Sequence, residues 1–249
     1  MILGDLKIQI FNELESMIDS TIPHTKQFGD PLDENADPDI TRIYVQNLNG
    51  LQWDKDGGQW PYICDAMASI QTDIACYSEI HTNTNKYSIQ STMENVCQRQ
   101  FPQSRLIMSS SLHKTTHDYK PGGTAILACN KLSSHIKSHT RDRMGRWCSI
   151  SISTASSKSI RIILAYQVCE GRVRGTSTAA AQQHAHLISE NSHADNPTRL
   201  QPRQAFIHDL QAFILQIQAA NEEVILVGDF NEAIDTPNHE WENWPIDVD

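Results

Sequence analysis

Four short polar clusters carry the residue types that could do chemistry: Asn47-Leu48-Asn49-Gly50, Ser78-Glu79, Tyr166-Gln167 and Asp229-Phe230-Asn231-Glu232. Each directly follows a strand-length run of branched or aromatic residues, and loops at strand ends are where a rigid scaffold presents functional groups. A carboxylate from one cluster, a carboxylate and an amide from another and an amide from a third would make an all-oxygen site. Such a site suits a hard divalent cation, and Mg²⁺ is its natural occupant. Each cluster alone also reads as a turn, because Asn-Gly and Asp-x-Asn sequences often only reverse the chain. Their order along the sequence is what sets them apart.

The elements that must position these groups follow from hydropathy patterns. Strands are predicted at 42–47, 73–78, 104–109, 123–129, 147–153, 160–167 and 223–228, all rich in β-branched or aromatic residues. Helices are predicted at 58–70, 86–100, 177–190 and 203–220, the last with Phe206, Leu210, Phe213, Ile214 and Ile217 along one face. The strands from 104 to 167 follow one another without an obvious helix, which points to antiparallel pairing. A mixed, largely antiparallel two-sheet α/β sandwich flanked by helices therefore fits better than a doubly wound parallel sheet.

Ahead of these elements, Leu6, Ile10, Leu14, Met17 and Ile18 recur at near-helical spacing and precede an acidic tract from Gly29 to Asp39. Residues 1–40 read as a short amphipathic helix and an acidic linker, and residues 41–249 as the main domain. The formal charge of −10 divides unevenly: 1–40 hold nine acids and two bases, 222–249 nine acids and no base, and 41–221 twelve acids and eighteen bases. A polyanionic partner draws on Lys and Arg, so the basic middle keeps nucleic acid open for an otherwise acidic chain. Within it, Arg141, Arg143 and Arg146, then Arg172 and Arg174, fall in Gly-containing loops that fit either a solvated surface or contacts to phosphate. Among them Arg146, Arg172 and Arg174 are the candidates for binding substrate.

At 39% hydrophobic and 20% charged residues, the 249-residue chain can bury a core, which excludes wholesale disorder, collagen and coiled coil. No apolar run approaches the roughly 20 residues needed to cross a bilayer, and the N-terminus lacks a basic region followed by an apolar stretch. An intracellular protein is expected, in nucleus or cytoplasm. The six cysteines lack any C-x-x-C pairing and read as small buried thiols in a reducing compartment.

The ordered motifs Gln46-Asn47-Leu48-Asn49-Gly50-Leu51, Tyr77-Ser78-Glu79-Ile80-His81, Gly122-Gly123-Thr124-Ala125-Ile126, Leu164-Ala165-Tyr166 and Val227-Gly228-Asp229-Phe230-Asn231-Glu232 resemble the endonuclease/exonuclease/phosphatase superfamily, over about residues 42–235. The resemblance implies a DNase I-like fold and Mg²⁺-dependent phosphodiester hydrolysis, with Mn²⁺ as a possible substitute. It implies Glu79 as the acidic metal ligand and Asn47 as the amide supporting metal and phosphate. Tyr166 would lie beside the scissile phosphate, Asp229 would orient or deprotonate the attacking water, and Asn231 would hold a phosphate oxygen. Segments Gly145-Arg146-Trp147 and Ala165-Tyr166-Gln167-Val168-Cys169 look like retrotransposon-type endonuclease domains, which implies DNA as the partner; no protein partner and no membrane are implied.

The superfamily's terminal Ser-Asp-His is absent from this sequence, and His239, in Pro237-Asn238-His239-Glu240-Trp241, does not match it. The expectation is a fold lacking its last strands and a nuclease weakened or inactive as written, because general acid–base groups contribute about 10² to 10⁴ in rate. A same-fold phosphatase or ribonuclease, and a non-catalytic nucleic-acid-binding remnant, are the alternatives. His81, His113, His117 and His135 read as surface histidines, while Trp53, Trp60 and Trp147 fit either stacking on bases or packing in the core.

Overall fold

The computed structural model describes residues 40–154, 158–169, 177–190 and 201–232. The predicted N-terminal helix, the acidic tract, Arg172, Arg174 and His239 lie outside the described residues. Strand β1 (Ile43–Asn47) leads through α1 (Trp60–Ser69) to β2 (Ile74–Ser78), and α2 (Tyr87–Gln100) then leads to the β3 (Arg105–Ser109) and β4 (Thr124–Ala128) pair. A 3-10 turn at Asn130–His135 carries the chain to a second sheet of β5 (Ile136–Arg141), β6 (Trp147–Ser153) and β7 (Ser159–Tyr166). Helices α3 (Ala179–Glu190) and α4 (Pro202–Ala219) precede β8 (Glu222–Asp229).

The first sheet has the order β1-β2-β4-β3 and the second β5-β6-β7-β8. Neighbours are antiparallel except for one parallel pair in each sheet, β1 with β2 and β7 with β8. The mixed two-sheet sandwich expected from the sequence is thus the observed architecture. Parallel neighbours need a long crossover, which α1 supplies in one sheet and α3 with α4 in the other.

Strand alternation divides the apolar residues between layers. Ile74 and Cys76 of β2, Ile126 of β4, Cys148 and Ile150 of β6, and Ile162 and Leu164 of β7 meet between the sheets. The opposite faces carry Ala75 and Tyr77 against Trp60, Cys64, Met93 and Val96 of the first helix pair, and Ile163 and Ala165 against Phe206, Leu210 and Ile214 of α4. Four layers result, helix, sheet, sheet, helix. Each large side chain buried among them stabilises the fold by about 1.5–3 kcal/mol. The helix starts are set by Pro61 and Pro202, whose missing N–H is harmless in a first turn.

Two expectations change. The four strands from 104 to 167 do not form one antiparallel run, because β4 and β6 belong to different sheets and the unpredicted β5 stands between them. Its sequence IKSHTR buries only Ile136, so it lacks the alternation that marks a half-buried strand; as a sheet edge it exposes its polar residues. The thiols follow the expected burial except for Cys169, which is exposed.

Arg146 also departs from its expected place on a phosphate-contacting loop. It is buried, with Nε and Nη2 donating to the Asp142 carboxylate at 2.9 Å each and Nη1 donating to Asp209 at 2.9 Å. Its guanidinium carbon lies 4.4 Å from the Trp147 ring centroid. A planar fork between two carboxylates and an aromatic face is a structural tie between the β5–β6 connection and α4. Arg146→Ala should therefore lower unfolding free energy by about 3–5 kcal/mol, because it strands the buried Asp142 carboxylate. A shift of less than about 1 kcal/mol in urea denaturation would contradict this role.

Gly228 fixes where β8 delivers the residue after it. Its φ is +142°, and a Cβ there would lie 1.8 Å from the Ala165 carbonyl oxygen across the parallel β7–β8 pair. Gly228→Ala should cost at least about 2 kcal/mol and lower the melting temperature by roughly 5 °C or more. Differential scanning calorimetry would test it, and an unchanged melting point would refute the close approach.

Candidate active site

Parallel pairing brings like ends together. Register aligns Asn47 with Ser78 at the C-terminal ends of β1 and β2, and Tyr166 with Asp229 at those of β7 and β8. The sandwich stacks these ends, and Asn47 Nδ2 donates to Asp229 Oδ2 at 2.6 Å across the two sheets. Residues 182 positions apart thus share one hydrogen bond. Pairing of the first two strands continues past their ends through Leu48 N–H to Ser78 C=O, Gly50 N–H to Glu79 C=O and Leu51 N–H to Ile80 C=O.

Glu79 and His81 both adopt left-handed backbone, with φ of 50° and 49°. This conformation is strained for residues with side chains, by about 1–3 kcal/mol each, and such strain gathers at functional sites. His81 Nε2 lies 3.5 Å from Glu79 Oε2, and its side chain is only 18% exposed. The bond from His81 holds the Glu79 carboxyl below the usual glutamate range against the opposing effect of burial, with further bonds from Tyr166 and Asn47. The carboxylate is therefore ionised at neutral pH. Burial, then the charge of Glu79, pushes the Tyr166 hydroxyl well up, so Tyr166 stays a hydrogen-bond donor.

Asp229 and Asn231 are held by main chain. Asn231 N–H donates to Asp229 Oδ1 at 3.0 Å, and Gln167 N–H to the Asp229 carbonyl at 2.9 Å. Asn231 Nδ2 donates to the Gln167 carbonyl at 2.6 Å, while the Cys169 thiol lies 3.0 Å from Asn231 Oδ1. Arg203 clamps both post-strand loops by donating to Val168 C=O at 2.8 Å and pairing with Glu232. On the near side, Gly122 has φ +76°, and a Cβ there would lie 3.0 Å from Ala179 Cβ and 3.5 Å from Tyr166 Cε1. Glycine allows that turn to sit against Tyr166 and the start of α3.

Asn47, Glu79, Tyr166, Asp229 and Asn231 thus come together from four strand ends, whereas Arg146 is buried elsewhere and Arg172 and Arg174 lie outside the described residues. Two contributors were not anticipated. His81, expected at the surface, touches Glu79, and the Glu-x-His spacing was its available signal. Arg203 lies on α4, and nothing local in the sequence marks it.

Among the described residues no group of three or more His, Cys, Asp or Glu could hold a metal. The Asn47 amide turns its Nδ2 hydrogens to both carboxylates while its Oδ1 accepts from the Asn49 N–H, so the donors open to an ion are carboxylate oxygens, which are hard. That suits Mg²⁺, which takes one or two carboxylates and leaves its remaining positions to water and substrate phosphate. Among the described residues no Cys or second His joins His81, so zinc is a poor fit.

Glu79 carries a pH signature. Its pKa in the folded protein lies below the ordinary 4.5, so its contribution to stability is present above that value and is lost as pH falls through the lower folded value. Glu79→Gln should consequently lower stability at neutral pH and flatten the acid limb, so that the two curves converge as pH falls below about 4.5. Parallel acid limbs in the two proteins, followed by urea denaturation, would sink this expectation.

Among curated proteins none matches this chain. Solved structures with similar backbones include a 3'-5' exonuclease (NExo) from Neisseria meningitidis, 16% identical over 77% of this chain and 58% of that one, with a TM-score of 0.44. The APE2 catalytic domain of Xenopus laevis is 14% identical over the same shares, with a TM-score of 0.45. Beta toxin from Staphylococcus aureus is 13% identical over 78% of this chain and 67% of that one, at 0.48. This chain spans about 58% of the length of the Neisseria exonuclease. The family model of the Endonuclease/Exonuclease/phosphatase family matches residues 46–246, which covers all five clustered residues, and the chain belongs to that family.

Proposed function

We propose that this chain is a phosphodiesterase dependent on Mg²⁺, or Mn²⁺ in its place, that cleaves DNA and derives from a retroelement. The observation that carries the reading is the Asn47–Asp229 bond of 2.6 Å, which puts one carboxylate beside a second, Glu79, that is bonded to the same amide. Retroelement origin is supported by the resemblance of 145–147 and 165–169 to endonuclease domains of that type. The functional unit is taken to be residues 41–249, separate from the acidic segment 1–40, and the protein to act inside the cell. Among the described residues no helix is long and apolar enough to cross a membrane.

In this reading Glu79 holds the metal, supported by Asn47, and the ion when bound neutralises charge that develops on the phosphate. Asp229, fixed at both oxygens by Asn47 and Asn231, aims a water at phosphorus. The water oxygen forms the new P–O bond in line with the departing oxygen, its proton passes to Asp229, and the leaving oxygen is protonated by solvent. The single hydroxyl hydrogen of Tyr166 lies on Glu79, and in this reading it turns to a non-bridging oxygen when substrate binds. Asn231 has one amide hydrogen already on the Gln167 carbonyl, so its second is the one available to phosphate. Donors held before the reaction are worth more than donors that must reorganise during it. Arg172 and Arg174 are the proposed contacts to phosphates farther along the strand.

The test is nicking of supercoiled plasmid by the full chain with Mg²⁺. Glu79→Ala and Asp229→Ala should each lower the rate at least about 10²-fold, and chelation should abolish it. If the parent nicks equally well in chelator, or Glu79→Ala matches it, the metal assignment falls. If the parent releases phosphate from phosphoinositides but leaves DNA intact, the substrate assignment falls.

A further inference from the structure

Of the aromatic residues considered for stacking, Trp60 is fully buried, Trp147 lies under Arg146 and packs on Phe206, and Trp53 packs against the helix-side core. Tyr119 is different. It is 57% exposed, and its ring centroid lies 5.6 Å from that of His81 at an interplanar angle of 74°. His81 in turn reaches Glu79 at 3.5 Å. Those two steps place the Tyr119 ring within about three stacked bases of the Glu79 carboxylate, at roughly 3.4 Å per base.

The ring is also anchored. Thr82 and Tyr119 form an antiparallel bridge, His81 N–H donates to Gly122 C=O at 2.9 Å, Lys120 N–H to His81 C=O at 3.1 Å, and Asn83 N–H to Asp118 C=O at 2.8 Å. Here the backbone order is already present, so stacking a flat partner on the ring requires little further ordering.

We propose that Tyr119 is a stacking platform for a nucleobase within about three positions of the scissile phosphate, which makes it a residue that selects nucleic acid over phosphoesters without bases. The inference rests on the phosphodiesterase reading above and deepens it. A base presents an apolar face that an aromatic ring binds with little regard to sequence, and inositol or lipid headgroups offer none.

The experiment compares binding of a fluorescein-labelled thymidylate strand of about 12 nucleotides with that of an abasic strand of the same length, by anisotropy, using the full chain with Ca²⁺ in place of Mg²⁺. The two probes share every phosphate and differ only in their bases. Tyr119→Ala should weaken binding of the thymidylate strand roughly 5- to 100-fold and leave the abasic strand unchanged, while Tyr119→Phe stays within about twofold of the parent. In steady-state cleavage the loss from Tyr119→Ala should fall on KM more than on kcat. Equal weakening of both strands, no weakening of either, or a Phe variant as poor as the Ala variant would overturn the platform.

Failure of the phosphodiesterase reading looks different. A parent chain that binds thymidylate but cleaves nothing loses that reading and keeps the platform if the two strands still discriminate. A parent that binds neither strand loses both.

Discussion

The constraint on which the site depends is the placement of one parallel strand pair in each otherwise antiparallel sheet. An antiparallel neighbour would send its C-terminal end to the far side of the sandwich. Parallel neighbours put Asn47 beside Ser78 and Tyr166 beside Asp229, and stacking of the sheets then joins the two pairs through the 2.6 Å Asn47–Asp229 bond. The crossovers this demands are α1 in the first sheet and α3 with α4 in the second, which also cover the outer faces. Positioning of the site and burial of the core are therefore consequences of the same topology. The Arg161–Glu222 fork, at 2.9 and 3.0 Å, secures the opposite end of β8 against β7.

Holding Glu79 and Asp229 near one another opposes electrostatic repulsion, and the protein offsets it with neutral amides rather than cations. Asn47 bridges the two carboxylates, His81 and Tyr166 support Glu79, and the Asn231 main chain supports Asp229. No lysine or arginine approaches either carboxylate closely enough to form an ion pair among the described residues. Dipoles leave the negative charge in place where a guanidinium would neutralise it, and on the proposed reading the site needs that charge to attract a cation. Arg203 conforms to the same pattern, since it pairs with Glu232 and donates to the Val168 carbonyl.

Much of this was legible in the sequence because the site residues sit where strand-like runs stop. Among the described residues the predicted strands and helices lie within a residue or two of the observed ones, and only the strand β5 is missed, because its single buried position gives no alternation to detect. The five clustered residues were named from motifs, but their meeting depends on contacts across up to 182 positions that no local pattern encodes. Arg146 reads as a phosphate contact for a local reason. A run of arginines in a glycine-containing loop looks like a phosphate patch, yet Asp142 within that run is its partner, and Asp209 lies 63 residues away. His81 reads as a surface residue because a lone histidine in polar surroundings is usually solvated; the turned backbone at Glu79 and His81 is what places the two side chains together.

The same geometry revises how an acidic chain would meet a polyanion. Counting bases in 41–221 suggests a positive surface, but Arg146, Arg161, Arg203, Lys86 and Lys158 each face a carboxylate within ion-pair distance. Paired charges contribute little to a long-range field, so formal charge overstates electrostatic attraction here. On the proposed reading, short-range contacts at the strand ends, namely amides, the Tyr166 hydroxyl and aromatic surface beside Glu79, supply affinity together with the metal that Glu79 would hold and the phosphate contacts proposed for Arg172 and Arg174. Recognition built that way depends on close fit at the reacting phosphate more than on steering from a distance. It also explains why the positions that matter lie in loops pinned by backbone hydrogen bonds, since short-range contacts lose their value if the groups that make them must first be ordered.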